Sequence, residues 1–261
     1  MKSYSLLLID LDGTMYRGTE KIEEAPLFIK QLEEEGQDYV FLTNNSTKVP
    51  SEVVKHLAQF DIHTTEDKIF TTSMATAQYI SSQKKNATVY MIGEAGLKSA
   101  LEEAGLKLVT EEDQLSQCDY VVTGLDRQIT YEKLAKAALA VRAGATFIST
   151  NADKALPTER GLLPGNGSLT SVISTSTQVS PLFIGKPEPL MIDLILDQRG
   201  LSRDEVLMIG DNYDTDIQAG IRAGIDTALV FTGFTSKEDL LKYEVKPTYQ
   251  WNHLLEWKKR G

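Results

Sequence analysis

The chain has 261 residues and a net charge of −10, with 41% hydrophobic and 25% charged residues, the balance of a globular protein of one large or two modest domains. The acidic balance argues against general binding to nucleic acid or to an anionic membrane, and no stretch approaches the roughly 20 apolar residues of a membrane span. One cysteine, Cys118, excludes an internal disulfide framework and a cysteine-rich zinc site.

The N-terminal run LLLI is too short for the apolar part of a leader and runs straight into Asp10, so a cytoplasmic address is expected. Residues 5–9 read as a buried strand, and 24–35 as a helix closed by Gly36. A strand at 39–43 follows, then a helix over 51–60 with Pro50 at its start. Further strands are predicted at 88–92, 120–123, 146–150, 182–184, 206–209 and 227–231. Helical patterns separate them at 94–104, 131–142, 169–176, 190–199 and 215–223. Continuous apolar strands joined by helices mark parallel sheets covered on both faces. The strands are too many for one open sheet, so two α/β layers are expected.

Ligands of open α/β sheets bind beyond the carboxyl ends of the strands. The strand at 5–9 is followed by Asp10-Leu11-Asp12-Gly13-Thr14, and the next by Thr43-Asn44-Asn45-Ser46. The strand at 182–184 is followed by Gly185-Lys186-Pro187-Glu188-Pro189, and that at 206–209 by Gly210-Asp211-Asn212-Tyr213-Asp214-Thr215-Asp216. Carboxylate oxygens suit a hard cation such as magnesium. A lysine, a threonine hydroxyl and backbone amides suit phosphate. Two aspartates one residue apart raise each other's cost of ionisation unless a cation relieves them. Asp10 is the candidate nucleophile for an aspartyl-phosphate, with Lys186 and a cation offsetting the repulsion between anions. Asp12 then protonates the leaving oxygen and later takes a proton from water. Asp211 completes a metal site, with Asn212 or Asp216 behind it. Tyr16 and Arg17 are either substrate contacts or ordinary loop residues.

IDLDGT, LTNNS, GKPEP and GDNYDTD, in that order, resemble the four signature motifs of the haloacid dehalogenase superfamily. The resemblance implies a Rossmann-like, doubly wound parallel core with a smaller inserted α/β cap domain. It implies Asp10 as nucleophile, Asp12 as acid/base, and Thr43, Asn44 and Lys186 around the phosphate. Magnesium would be held by the Asp10 side chain, the Asp12 main-chain carbonyl and Asp211. Dehalogenases of this superfamily lack the second aspartate, and this chain keeps Asp12, so the implied reaction is phosphate-ester hydrolysis.

The long stretch between LTNNS and GKPEP carries its own strand–helix alternation, and its position resembles the capped NagD-like subgroup. The expected division is a core of 1–78 and 182–261 with a cap at 79–181. TNADKALPTERGLLPGNGS, residues 150–168, is similar to that subgroup's signature and reads as a hairpin before a helix capped by Ser168. By resemblance the loop at Asp153, Leu156 and Pro157 selects the substrate. Leu156 stands where a related vitamin B6 phosphate phosphatase carries a histidine, which argues against pyridoxal phosphate. The partner implied is a small-molecule phosphate ester, with sugar or acid-sugar phosphates and p-nitrophenyl phosphate foremost. Capped relatives also pair through their caps, which leaves room for a homodimer. The alternatives are a nucleoside monophosphate phosphatase, a phosphomutase, and a protein that binds phosphate esters without turnover.

Overall fold

The structure is a computed structural model that describes residues 2–110, 112–158 and 160–258. Two compact units emerge. The first comprises Met1–Thr43, Pro50–Phe70 and Lys186–Gly261, and the second Asn44–Val49 and Thr71–Gly185. The segment expected at 79–181 falls inside the second unit, which begins earlier and also takes in the residues after Thr43.

In the first unit the strands lie in the order Tyr249–Trp251, Asp226–Val230, Val206–Gly210, Leu6–Ile9, Asp38–Thr43, Ile69–Thr71. The pairings from Tyr249–Trp251 across to Asp38–Thr43 are all parallel. Leu7, Ile9, Tyr39, Phe41, Leu207 and Ile209 enter one core with Phe28 and Leu32 of the helix Glu24–Glu34. The alternate residues Leu6, Leu8, Val40, Leu42 and Met208 are buried as well. Burial on both faces is why these strands read as unbroken apolar runs. Pro50 opens the helix Pro50–Ala58, where its missing N–H is no loss.

Chain order along this sheet reverses between Leu6–Ile9 and Val206–Gly210. From Leu6–Ile9 the chain steps outward through Asp38–Thr43 to Ile69–Thr71, and from Val206–Gly210 it steps the other way. Such a reversal opens a crevice at the carboxyl ends of the two central strands. Leu6 pairs with Val206 and Ile9 with Ile209, so Asp10 and Asp211 leave the sheet side by side at that point.

The second unit has a five-stranded sheet in the order Leu182–Phe183, Thr146–Ser149, Tyr120–Thr123, Thr88–Ile92, Lys107–Leu108, all parallel. Its core joins Tyr90, Ile92, Val121 and Phe147 to Ala137, Ala140 and Val141 of the helix Tyr131–Arg142. Cys118 is buried beside this sheet and accepts a hydrogen bond from the Tyr90 N–H, a packing role. Leu182–Phe183 belongs to this sheet, so the expected strand at 182–184 is not part of the core that was to begin there. Two residues suffice because Leu182 pairs with Ile148 at the sheet edge before the chain crosses back at Lys186.

The hairpin of the 150–168 stretch forms between Ala155–Thr158 and Gly161–Pro164. The helix after it starts at Asn166 with Gly165 as cap. Ser168 is therefore not the cap, and its hydroxyl instead donates to the Lys154 carbonyl at 2.6 Å. Among the described residues no helix is long and apolar enough to cross a membrane.

Candidate active site

The first-unit crevice collects charge that its surroundings do not dissolve. Asp10, Asp211 and Asp216 each bring a carboxylate oxygen within 4.8 Å of the others. Lys186 enters as the first residue of the returning chain and is 2% exposed, which an ammonium tolerates only when fully paired. Its Nζ donates to Asp10 Oδ1 at 2.5 Å, to Asp216 Oδ1 at 2.7 Å and to the Leu42 carbonyl at 3.0 Å, using all three hydrogens.

Backbone donors fix the carboxylates. Asp216 Oδ2 accepts from the Asn212 N–H at 3.1 Å, across the single wide helical turn Tyr213–Ile217. Turns of this π type recur at functional sites. Asp211 Oδ2 accepts from the Phe234 N–H at 2.6 Å, and Asp211 Oδ1 from the Thr14 hydroxyl at 3.3 Å. Gly13 has φ +91°, a conformation that side chains avoid, and a Cβ there would lie 2.2 Å from Asp211 Oδ2. A Cβ on Gly210 would lie 2.3 Å from the Asp216 carboxylate.

Asp12 stands apart from the cluster. Its carboxylate is solvent-exposed and accepts from the Gly18 N–H at 3.2 Å. Thr43 ends its strand and is buried at the same sheet edge. Asn44, one residue on, belongs to the second unit, where its Nδ2 donates to Asp153 Oδ1 at 3.2 Å. Asp153 also accepts, through its carbonyl, from the Gly167 N–H. Leu156 and Pro157 lie on the strand Ala155–Thr158, and Leu156 is half-buried. Tyr16 is buried with its ring stacked on Phe60 at 4.8 Å. Arg17 Nε donates to the Thr232 carbonyl. Of the two, Tyr16 is thus engaged in the core and Arg17 in a loop contact. Thr14, Gly233 and Phe234 touch Asp211 and escaped the sequence reading. Thr14 alone had a signal there, since it closes the first motif.

Three carboxylates face one ammonium, leaving two negative charges unbalanced in a nearly dry site. Burial, then Asp216, push Asp10 well above the usual carboxylate range, and Lys186 pulls it back only in part. Burial and Asp216 likewise push Asp211 up to about 7, against the Phe234 N–H that favours the ion. Burial alone would lower the Lys186 ammonium, yet Asp10 and Asp216 raise it above its ordinary value, so it stays charged. A divalent cation is the charge this donor set lacks, and oxygen donors of this kind are those that hard cations take.

A Rossmann-like α/β core whose switch point carries paired acids and a buried lysine defines a class of phosphate-handling hydrolases. Two family models match the chain, "Haloacid dehalogenase-like hydrolase" over residues 7–107 and a HAD-hydrolase-like model over 183–257. It is 56% identical over 257 residues to the 5'-nucleotidase YutF of Bacillus subtilis, with 98% of each chain covered. It is 52% identical over 254 residues to an acid sugar phosphatase of Staphylococcus epidermidis, covering 97% of this chain and 96% of that one. Among solved structures, a double mutant of the thermostable NPPase of Geobacillus stearothermophilus matches with TM-score 0.91 and 51% identity, with 100% of both chains covered. The p-nitrophenyl phosphatase of Archaeoglobus fulgidus matches with TM-score 0.89 at 34% identity over 97% of each. The chain belongs to the haloacid dehalogenase-like hydrolases, and within them it is a phosphatase, a phosphoric monoester hydrolase. Membership in this family implies a divalent metal.

Proposed function

We propose that this phosphatase is magnesium-dependent and hydrolyses sugar or acid-sugar phosphates through an aspartyl-phosphate on Asp10, with p-nitrophenyl phosphate as an artificial substrate. The carrying observation is the buried Lys186 ammonium shared by Asp10 and Asp216, with Asp211 alongside. Asp10 Oδ attacks phosphorus while the bond to the leaving oxygen breaks, and Asp12 gives that oxygen its proton. Water then attacks phosphorus, Asp12 takes its proton, and inorganic phosphate leaves with Asp10 regenerated. The exposed position of Asp12 suits a group that must exchange protons with substrate and water. Lys186 and the Thr43 hydroxyl neutralise and orient the phosphoryl oxygens, with Asn44 beside them. Asp10, the Asp12 carbonyl and Asp211 would hold the magnesium ion, and Asp216 and Asn212 support them from behind. The ion supplies charge neutralisation between the anionic ester and the carboxylates.

The inserted unit acts as the substrate-selecting cap, with Asp153, Leu156 and Pro157 in that role. The support is the likeness of residues 150–168 to the NagD-like signature. The relative named 5'-nucleotidase favours a second substrate reading, a nucleoside monophosphate. Phosphate release from a panel of esters, with magnesium and with a chelator, tests both. Release that needs magnesium and is lost in Asp10→Asn is expected. A higher kcat/KM for sugar-acid phosphates than for nucleoside monophosphates supports the first reading, and the reverse order the second. Undiminished turnover by Asp10→Asn would rule out the covalent mechanism.

A further inference from the structure

The loop 232–235, which follows the strand Asp226–Val230, carries none of the four motifs, yet it bonds directly to Asp211 and to the turn after it. The Phe234 N–H donates to Asp211 Oδ2 at 2.6 Å, and the Thr235 N–H donates to the Asp211 carbonyl at 3.1 Å. Thr235 Oγ1 accepts from the Tyr213 N–H at 2.8 Å, tying down the turn that follows Asp211. Thr232 Oγ1 donates to the Gly13 carbonyl at 2.8 Å, and the Thr232 carbonyl receives Arg17 Nε. The loop thus grips the turns after both central strands.

Gly233 sits at the centre of this grip. A Cβ there would lie 1.9 Å from Asp211 Oδ2 and 2.8 Å from the Gly13 Cα. Its φ lies outside the left-handed region, so the requirement is for room and not for an unusual backbone angle. The Asp211 carboxylate is therefore held in a slot between two glycines, with one oxygen pinned by an amide.

We infer that Gly233 and the Phe234 amide are positioning residues for the metal carboxylate: the slot fixes the Asp211 rotamer so that the carboxylate is set for a divalent cation before the cation arrives. The inference rests on the proposed metal role of Asp211. Without the slot the carboxylate must be ordered on binding, and the cation site loses affinity while the phosphate contacts of Thr43 and Lys186 remain.

The test is calorimetric titration of the whole protein with magnesium or manganese alone, without substrate, for the wild type, Gly233→Ala and Phe234→Pro. Gly233→Ala is expected to weaken cation binding by about 10–100-fold, the range seen when groups supporting a metal ligand are removed. In turnover the apparent activation constant for the cation rises correspondingly, while KM for the ester at saturating cation stays within about twofold. Phe234→Pro removes the amide donor and leaves Gly233 intact, so it carries the test if Gly233→Ala does not fold. A folded variant that binds the cation as the wild type does would overturn the positioning role alone. A wild type that binds no divalent cation would overturn the role together with the metal reading it rests on.

Discussion

Both units hold a parallel sheet with a reversal of strand order, but only the first reversal gathers three carboxylates around a buried lysine among the described residues. In the first, the residues that leave the sheet at the switch are Asp10 and Asp211, and Lys186 is buried between carboxylates. In the second, the switch lies between Thr88–Ile92 and Tyr120–Thr123, and the residues that follow include Gly93, Glu94, Gly124 and Asp126. That place is filled by the chain's own segment Asn44–Val49. The Gly96 N–H donates to the Thr47 carbonyl at 2.9 Å, and the Leu125 N–H donates to the Ser46 hydroxyl at 3.2 Å. A helix N-terminus of the kind that receives anions spends the amide of its second residue, Gly96, on a loop carbonyl. Topology supplies a crevice, and the side chains and segments that enter it decide whether it does chemistry.

The largest expected effect tests the first switch. Asp10→Asn keeps the volume of the side chain but removes the nucleophile, and kcat for a phosphate ester should fall by about 10⁴-fold or more. A loss of only a few-fold would mean that water, not Asp10, attacks phosphorus. Next comes the second switch. A Cβ added at Gly96 would lie 2.6–2.7 Å from the Lys48 backbone, which cannot swing aside as a flexible side chain does. Gly96→Ala should cost about 1–3 kcal/mol of stability in urea unfolding, the range for overpacking a tight contact. A neutral result would show that Asn44–Val49 is not clamped there and that the two crevices differ less than they seem.

How much of this contrast the sequence displays depends on how local each cause is. The four strand-end motifs are local, because each carboxylate, hydroxyl or lysine directly follows a strand or precedes a helix, and fold class and acid cluster could be read from them. Strands Thr88–Ile92 and Tyr120–Thr123 and helices Tyr131–Arg142 and Leu190–Arg199 form at the expected residues because burial follows the periodicity. The helix Thr72–Gln83 was not anticipated, since it buries Thr72, Ser73 and Thr76 beside alanines and shows no strong apolar stripe. Those hydroxyls face backbone instead: Thr72 Oγ1 donates to the Asn44 carbonyl and Ser73 Oγ to the Ser46 carbonyl. The Gly233 slot was equally invisible, because a Thr-Gly-Phe-Thr loop looks ordinary until folding brings it against Asp211. Short edge strands such as Tyr249–Trp251 carry too few residues to show a pattern.

A third prediction concerns acid. With Asp211 pushed up to about 7 by burial and Asp216, a cation entering the first switch must displace a proton there at lower pH. Cation affinity should fall about tenfold per pH unit below about 7 and level off above it. For the cation-free protein the sign is opposite. Asp211 binds its proton more tightly folded than unfolded, so its contribution to stability is full below its ordinary value of 3.8 and declines as pH rises toward about 7. Titration calorimetry across pH 5.5–8.5, beside urea unfolding without cation, separates the two trends. A pH-independent cation affinity would remove Asp211 from the metal site.

The smallest effect belongs to the second switch and completes the contrast. Glu94 lies at the start of the helix Ala95–Glu103, and its carboxylate accepts from the Arg127 N–H at 3.0 Å and pairs with Arg127 Nη1 at 2.7 Å. The Arg127 side chain is 59% exposed, so water screens the pair. Glu94→Gln keeps an acceptor for the amide and deletes only the charge. Its stability cost should stay within about 1 kcal/mol and shrink further in salt, with kcat and cation affinity unchanged. A carboxylate at a strand end is therefore not evidence of a site by itself. What separates Asp10 from Glu94 is a buried lysine and two further carboxylates with no solvent to dilute them, and a Glu94→Gln variant that lost turnover would erase that distinction.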